Sequence, residues 1–213
     1  MSISSKIKQH LPHDELSVKL WKEDKLKPDV REQLLEISDA FIEYLGISID
    51  VIDVTFTGSY ANFNYTPYSD IDLHIIVDPG SINKDIDLVE EFLKAKRQFW
   101  NDRHDIRVLN IEVELYAQDV NEEHASSGVY SVKNDEWINK PNKFRGEFDG
   151  RNVTRKVKYF KRQISMEIEE AKINRDTADL EKIMKKIRDM RQSGLEKGGE
   201  MSDENIIYKI LRS

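Results

Sequence analysis

Two runs of β-forming residues, Val51–Thr57 and Ile71–Val77, are separated by a polar loop that opens on Gly58-Ser59 and closes on Ser69-Asp70-Ile71-Asp72. Side chains alternate along a strand, so Asp70 and Asp72 point to one side while Ile71 and Leu73 point to the other. This stretch therefore demands a sheet with one apolar face to bury and a pair of carboxylates on the opposite face. Two like charges held so close repel unless a cation neutralises them. Hard divalent ions such as Mg²⁺ take oxygen ligands and leave positions for phosphate. At the other end of the loop, Gly58 lets the backbone approach a ligand closely, and exposed N–H groups with the Ser59 hydroxyl can hold phosphate oxygens. Ser69 either touches the same phosphates or ends the loop.

Gly-Ser, a spacer of ten residues and Asp-hydrophobic-Asp-hydrophobic together resemble the signature of the DNA polymerase beta-like nucleotidyltransferase superfamily. The resemblance implies transfer of a nucleoside monophosphate from an NTP to an acceptor hydroxyl with release of pyrophosphate, assisted by Mg²⁺ or Mn²⁺, two ions in all. It also implies a third carboxylate from a later strand beside the Asp-x-Asp strand. Ile111, Val113 and Leu115 alternate with Glu112, Glu114 and Tyr116, which predicts a strand with an acidic face. Alternation does not choose between Glu112 and Glu114. The run Val113-Glu114-Leu115-Tyr116-Ala117-Gln118-Asp119 is similar to a segment of uncharacterised phage-encoded nucleotidyltransferases, and that resemblance implies Glu114. It extends through Gly128-Val129-Tyr130-Ser131, Trp137, Ser193-Gly194-Leu195 and Gly199-Glu200-Met201-Ser202. It names no acceptor, which stays open between RNA and a small molecule. Two other readings stand beside it: a pyrophosphokinase resembling the alarmone synthetases, whose basic motif is not evident, and a non-catalytic nucleotide-binding or antitoxin-like partner.

The remaining pattern predicts an α/β (α+β) chain with a small mixed sheet, flanking helices and a helical C-terminal region. Residues 1–27 are polar with scattered apolar anchors. Pro28 suits a first helical turn, and Val30, Leu34, Ile37, Phe41 and Leu45 recur at helical spacing until Gly46 offers a stop. Ile86, Val89, Phe92, Leu93, Phe99 and Trp100 predict a helix that packs on the sheet. Val129–Val132 and Trp137–Ile138 predict a hairpin at its edge. Two apolar stripes, from Val153 and from Leu180, and a helix capped by Ser202 complete the chain. The expected division is 1–27, a core over 28–145 and a helical region over 146–213.

Several residues have two readings. His74 follows Asp72 by two and either supports a carboxylate or is an ordinary strand histidine. Tyr60, Phe63, Tyr65 and Tyr68 either offer faces to a base or anchor the loop to the core. Arg151, Arg155, Lys156, Lys158, Lys161 and Arg162 concentrate positive charge at the start of one helix, and Lys158 and Lys161 are candidates for holding phosphate. Against this local strip the whole chain is acidic, with net charge −7 over 213 residues, which disfavours coating nucleic acid by bulk charge. With no cysteine there is no disulfide and no thiolate metal site. No apolar run is long enough for a membrane span, and the expected location is cytoplasmic, in a host if the chain is phage-encoded.

Overall fold

A computed structural model describes residues 3–124, 126–143 and 149–212 of the chain. Among them are α1 (Ile3–Gln9), β1 (Trp21–Lys22), β2 (Lys25–Leu26), α2 (Pro28–Leu45), β3 (Val51–Thr57) and β4 (Ile71–Val77). There follow α3 (Pro79–Ile82), α4 (Ile86–Arg103), β5 (Arg107–Val108), β6 (Ile111–Asp119), β7 (Val129–Ser131) and β8 (Glu136–Asn139). The helices α5 (Gly150–Asn174), α6 (Ala178–Gly198) and α7 (Asp203–Arg212) close the chain. The fold is mixed α/β, with a six-stranded mixed sheet ordered β5-β6-β4-β3-β7-β8 and a two-stranded β1-β2 ribbon, as the alternating and helical periodicities predict. None of the described helices is long and apolar enough to cross a membrane.

The described residues of Met1–Pro12, Thr66–Tyr68 and Phe144–Ser213 form one compact unit, and those of His13–Tyr65 with Ser69–Lys143 form a second. The boundary expected at 145–146 lies outside the described residues.

The sheet unit is built around β4, which pairs antiparallel with β3 and parallel with β6. A parallel neighbour requires a crossover connection, and α4 lies within it. Ile71, Leu73 and Ile75 of β4, Val113 and Leu115 of β6, and Phe56 of β3 are all buried; by alternation they share one face. Helices α2 and α4 bury Val30, Leu34, Phe41, Val89, Leu93 and Trp100, with Phe41 and Trp100 edge to face at 5.5 Å. Pro28 at the first turn and Gly46 at φ 70° bound α2, because proline presets helical φ and glycine accepts the left-handed turn without Cβ strain. The polar segment before α2 is better ordered than its composition suggests: Trp21 stacks on Phe56 and Trp137, meets Tyr130 edge-on, and donates its indole N–H to Tyr60 O at 2.8 Å.

The free edge of β6 beyond the short β5 is closed by a side chain. Asn101 of α4 donates to Leu115 O at 3.1 Å and accepts from Leu115 N at 3.3 Å. One amide thus does the work of a neighbouring strand, and an open edge of this kind is otherwise a template for mispairing.

The helical unit packs Ile7 of α1 with Val153, Val157 and Phe160 of α5, Ile187 of α6, and Ile206, Ile207 and Ile210 of α7. The Asp149 carboxylate caps α5 by accepting from Arg151 N and Asn152 N, and the Ser202 hydroxyl accepts from Asn205 N at the start of α7. Lys156 and Glu204 pair at 3.0 Å, tying α5 to α7.

A carboxylate face on the sheet

β4 begins at Ile71, so Asp70 stands one residue ahead of the strand and Asp72 lies within it. The parallel register sets Asp72 opposite Glu114 and His74 opposite Tyr116, while β3 sets Thr57 opposite Asp72. Asp72 and Glu114 are therefore neighbours on adjacent strands, about 4.8 Å apart in the pairing direction. Glu112 lies one step toward the sheet's outer end, with a half-exposed carboxylate 4.0 Å from Arg107. Both glutamates face the same side; the ladder pairs Glu114 with Asp72, and the same register carried one pair back, beyond the start of β4, would set Glu112 beside Asp70.

The Gly-Ser turn meets the same carboxylates. Gly58 has φ 73°, and a Cβ built on it would sit 1.7 Å from Oδ2 of Asp72. Only a residue without a side chain lets the turn lie against that oxygen. Ser59 opens the 3-10 turn Ser59–Ala61 that follows. A polar brace holds the turn: Gly58 N donates to Ser126 Oγ at 3.3 Å, Asn62 Nδ2 donates to Gly58 O at 2.7 Å and to Ser126 Oγ at 2.9 Å, and Ser127 Oγ donates to Asn62 Oδ1 at 2.7 Å. The N–H of Gly58, one of the groups read as a phosphate donor, is thus engaged within the chain. Ser69 is half-buried just before Asp70.

Electrostatics link these positions. Burial raises the pKa of the Tyr60 phenol, with further contributions from Tyr65 and from the charge on Asp70. Tyr116 is raised by burial first, then by its hydrogen bond to Glu114 and the charges of Glu114 and Asp72. Its hydroxyl donates to Glu114 Oε2 at 2.5 Å. Burial pushes the His74 imidazole down to about 4 although its bond to Gln118 opposes the shift, so the ring is neutral near pH 7. A cleft of about 290 Å³ opens along this strand, lined by Arg97, Asn101, Glu112, Glu114 and Tyr116 among others.

The donor set suits a hard divalent ion, being made of carboxylate oxygens alone. As placed, however, the side chains do not converge: among the described residues no group of three or more His, Cys, Asp or Glu side chains stands close enough to hold an ion. One oxygen of Glu114 is engaged by Tyr116.

Other expected residues fall elsewhere. Lys158 and Lys161 are exposed on α5, in the helical unit. Tyr60 and Phe63 are buried, and Tyr65 stacks on His13 at 3.9 Å and on Tyr60 at 5.4 Å. These three rings pack the loop, whereas Tyr68 is exposed. The sequence reading missed Asn62, which lies only four residues from Gly58, missed Ser126 and Arg97, whose signals are long-range, and gave Tyr116 no role. Its place two residues after Glu114 on the same face was the available clue.

Residues 34–126, from within α2 to just past β6, match the family model of the nucleotidyltransferase domain. The match spans the Gly-Ser turn, both aspartates and both glutamates, and supports a transferase role in general terms. No curated protein and no solved structure matches the chain.

Proposed function

We propose that the chain is a Mg²⁺- or Mn²⁺-dependent nucleotidyltransferase that moves a nucleoside monophosphate from an NTP to an acceptor hydroxyl. The observation that carries this reading is the register of Asp72 opposite Glu114 beside a glycine turn pressed on the Asp72 carboxylate, inside the matched nucleotidyltransferase segment. Asp70, Asp72 and Glu114 are assigned to holding the ions, two by the family resemblance. When bound, such ions offset triphosphate charge and favour the ionised form of the acceptor oxygen. The pairing of β4 with β6 supports this reading at the level of the backbone, since it sets Asp72 and Glu114 side by side; the side chains would turn toward an ion on binding. Ser59, Ser69 and the Gly58 turn are assigned to the triphosphate oxygens. Lys158 and Lys161 are assigned to phosphate on the nucleotide or on an RNA acceptor.

In the reaction the acceptor oxygen bonds to the α-phosphorus as the bond to the bridging oxygen breaks. Pyrophosphate leaves, and the hydroxyl proton passes to a carboxylate or to solvent. The test is incubation with each α-labelled NTP, Mg²⁺ or Mn²⁺, and separate RNA, protein and small-molecule fractions. The expected result is label moved to one fraction with pyrophosphate released. Release of AMP would indicate a pyrophosphokinase, and nucleotide bound without turnover would reduce the chain to a binding partner.

A further inference from the structure

Glu114 is a flexible side chain on a half-exposed face, and a ligand of that length needs something to fix it. The neighbourhood supplies a sequence of contacts that ends on its carboxylate. Gln118 donates through Nε2 to Glu122 O at 3.1 Å, which leaves its Oε1 as acceptor for His74 Nδ1 at 2.6 Å. His74 therefore carries its proton on Nδ1, and its ring is held flat beside Tyr116, with centroids 4.8 Å apart and planes 20° from parallel. Arg97 reaches from α4 to place its guanidinium 5.0 Å from the centre of the Tyr116 ring. With its ring so constrained, Tyr116 delivers one hydroxyl proton to Glu114 Oε2 and leaves Oε1 available.

We infer that Tyr116 is the positioning residue for Glu114, tying one carboxylate oxygen to the phenol and leaving the other for a divalent cation when the neighbouring aspartate side chains turn toward it. The inference rests on the metal-dependent reading above. His74 acts through the Tyr116 ring and contacts neither substrate nor ion. Outer hydrogen-bond partners of metal-ligating carboxylates typically change metal affinity by about 10–100-fold when removed.

The experiment is direct Mn²⁺ binding, by electron paramagnetic resonance of free ion, to the full chain and to Tyr116→Phe, Glu114→Gln and the double variant, with thermal melts as fold controls. Tyr116→Phe keeps the ring and is expected to weaken Mn²⁺ by roughly 10-fold or more. In the Glu114→Gln background the same change is expected to do less than about 2-fold, because residues that act as a pair are not additive. Gln118→Leu, which releases the His74 ring and leaves Tyr116 and Glu114 in place, should weaken Mn²⁺ in the same direction and serves if Tyr116→Phe does not fold. Wild-type affinity in Tyr116→Phe, or an undiminished effect in the Glu114→Gln background, would overturn the role of Tyr116 while leaving the metal site standing. A wild-type chain that binds no Mn²⁺ would overturn the metal reading, and this inference with it.

Discussion

Gly58 and Asp72 occupy space that a single added methyl would have to share, since its position lies 1.7 Å from the Asp72 Oδ2. Gly58→Ala combines that collision with a positive φ, which alone costs an L-residue roughly 1–2 kcal/mol. Calorimetric or denaturant unfolding is expected to show a loss exceeding about 2 kcal/mol. Displacement of the carboxylate by the order of an ångström should also lower turnover at least about 100-fold. A variant with normal stability and turnover would mean that the turn is not held against Asp72.

Asp70→Asn and Asp72→Asn are each expected to abolish NTP turnover with melting temperatures equal to or slightly above that of the wild type. Both changes remove charge and no apolar packing, and they relieve like-charge repulsion in the metal-free protein. Near-normal turnover at saturating Mg²⁺ would refute the assignment.

The two glutamates should behave differently. Glu114 is paired across the strands with Asp72, whereas the Glu112 carboxylate is half-exposed beside Arg107. Glu114→Gln is expected to cut turnover by several orders of magnitude; Glu112→Gln should lose at most about 10–100-fold, as for an outer contact. Turnover across a Mg²⁺ titration ranks them, and the reverse order would move the third carboxylate to Glu112.

Asn101→Ala removes both hydrogen bonds to the Leu115 backbone and leaves an N–H and a carbonyl unpaired at the margin of the core. The expected cost is about 1–3 kcal/mol, read from denaturant midpoints. Deletion of an exposed contact would cost far less.

His10 supplies the pH test. It is buried at the end of α1 with Nδ1 bonded to Lys6 O at 2.7 Å, and burial lowers its pKa below the ordinary 6.5, with Lys209 and Lys6 charge in the same direction. The unfolded chain therefore binds more protons than the folded one once the pH drops below 6.5, so this contribution to stability is present above that pH and is lost on acidification. Relative to His10→Gln, the wild type is expected to lose stability as the pH falls from 7 toward the lowered folded-state pKa. Parallel curves for the two proteins would show that His10 does not titrate on unfolding.

Local rules made most of the elements legible. Pro28 and Gly46 bracket α2, and alternation marked β3, β4 and β6, because those signals lie within a few residues of one another. The partners of the Gly58 turn were not legible: Asn62 is close in sequence, but Ser126 and Ser127 reach it only through the fold. The same holds for Trp21, whose burial among Phe56, Tyr130 and Trp137 orders a segment that reads as polar. Asn101 looks like any helical surface residue until the missing neighbour of Leu115 is seen. Glu112 and Glu114 are indistinguishable along their own strand, and their different partners, Arg107 for the first and Tyr116 for the second, appear only in the fold.

The parallel pairing of β4 with β6 also orders events in time. During synthesis, Thr57 and Asp72 can become neighbours as soon as the antiparallel β3-β4 hairpin has left the ribosome. Glu114 can join them only after residues 78–110 have been made and α4 has folded back across the sheet. Contacts that wait on such a crossover form late and slowly. The residue that pairs with Asp72 across the parallel ladder is therefore made well after Asp72 itself, and the β3-β4 pair, marginal alone, gains that neighbour last.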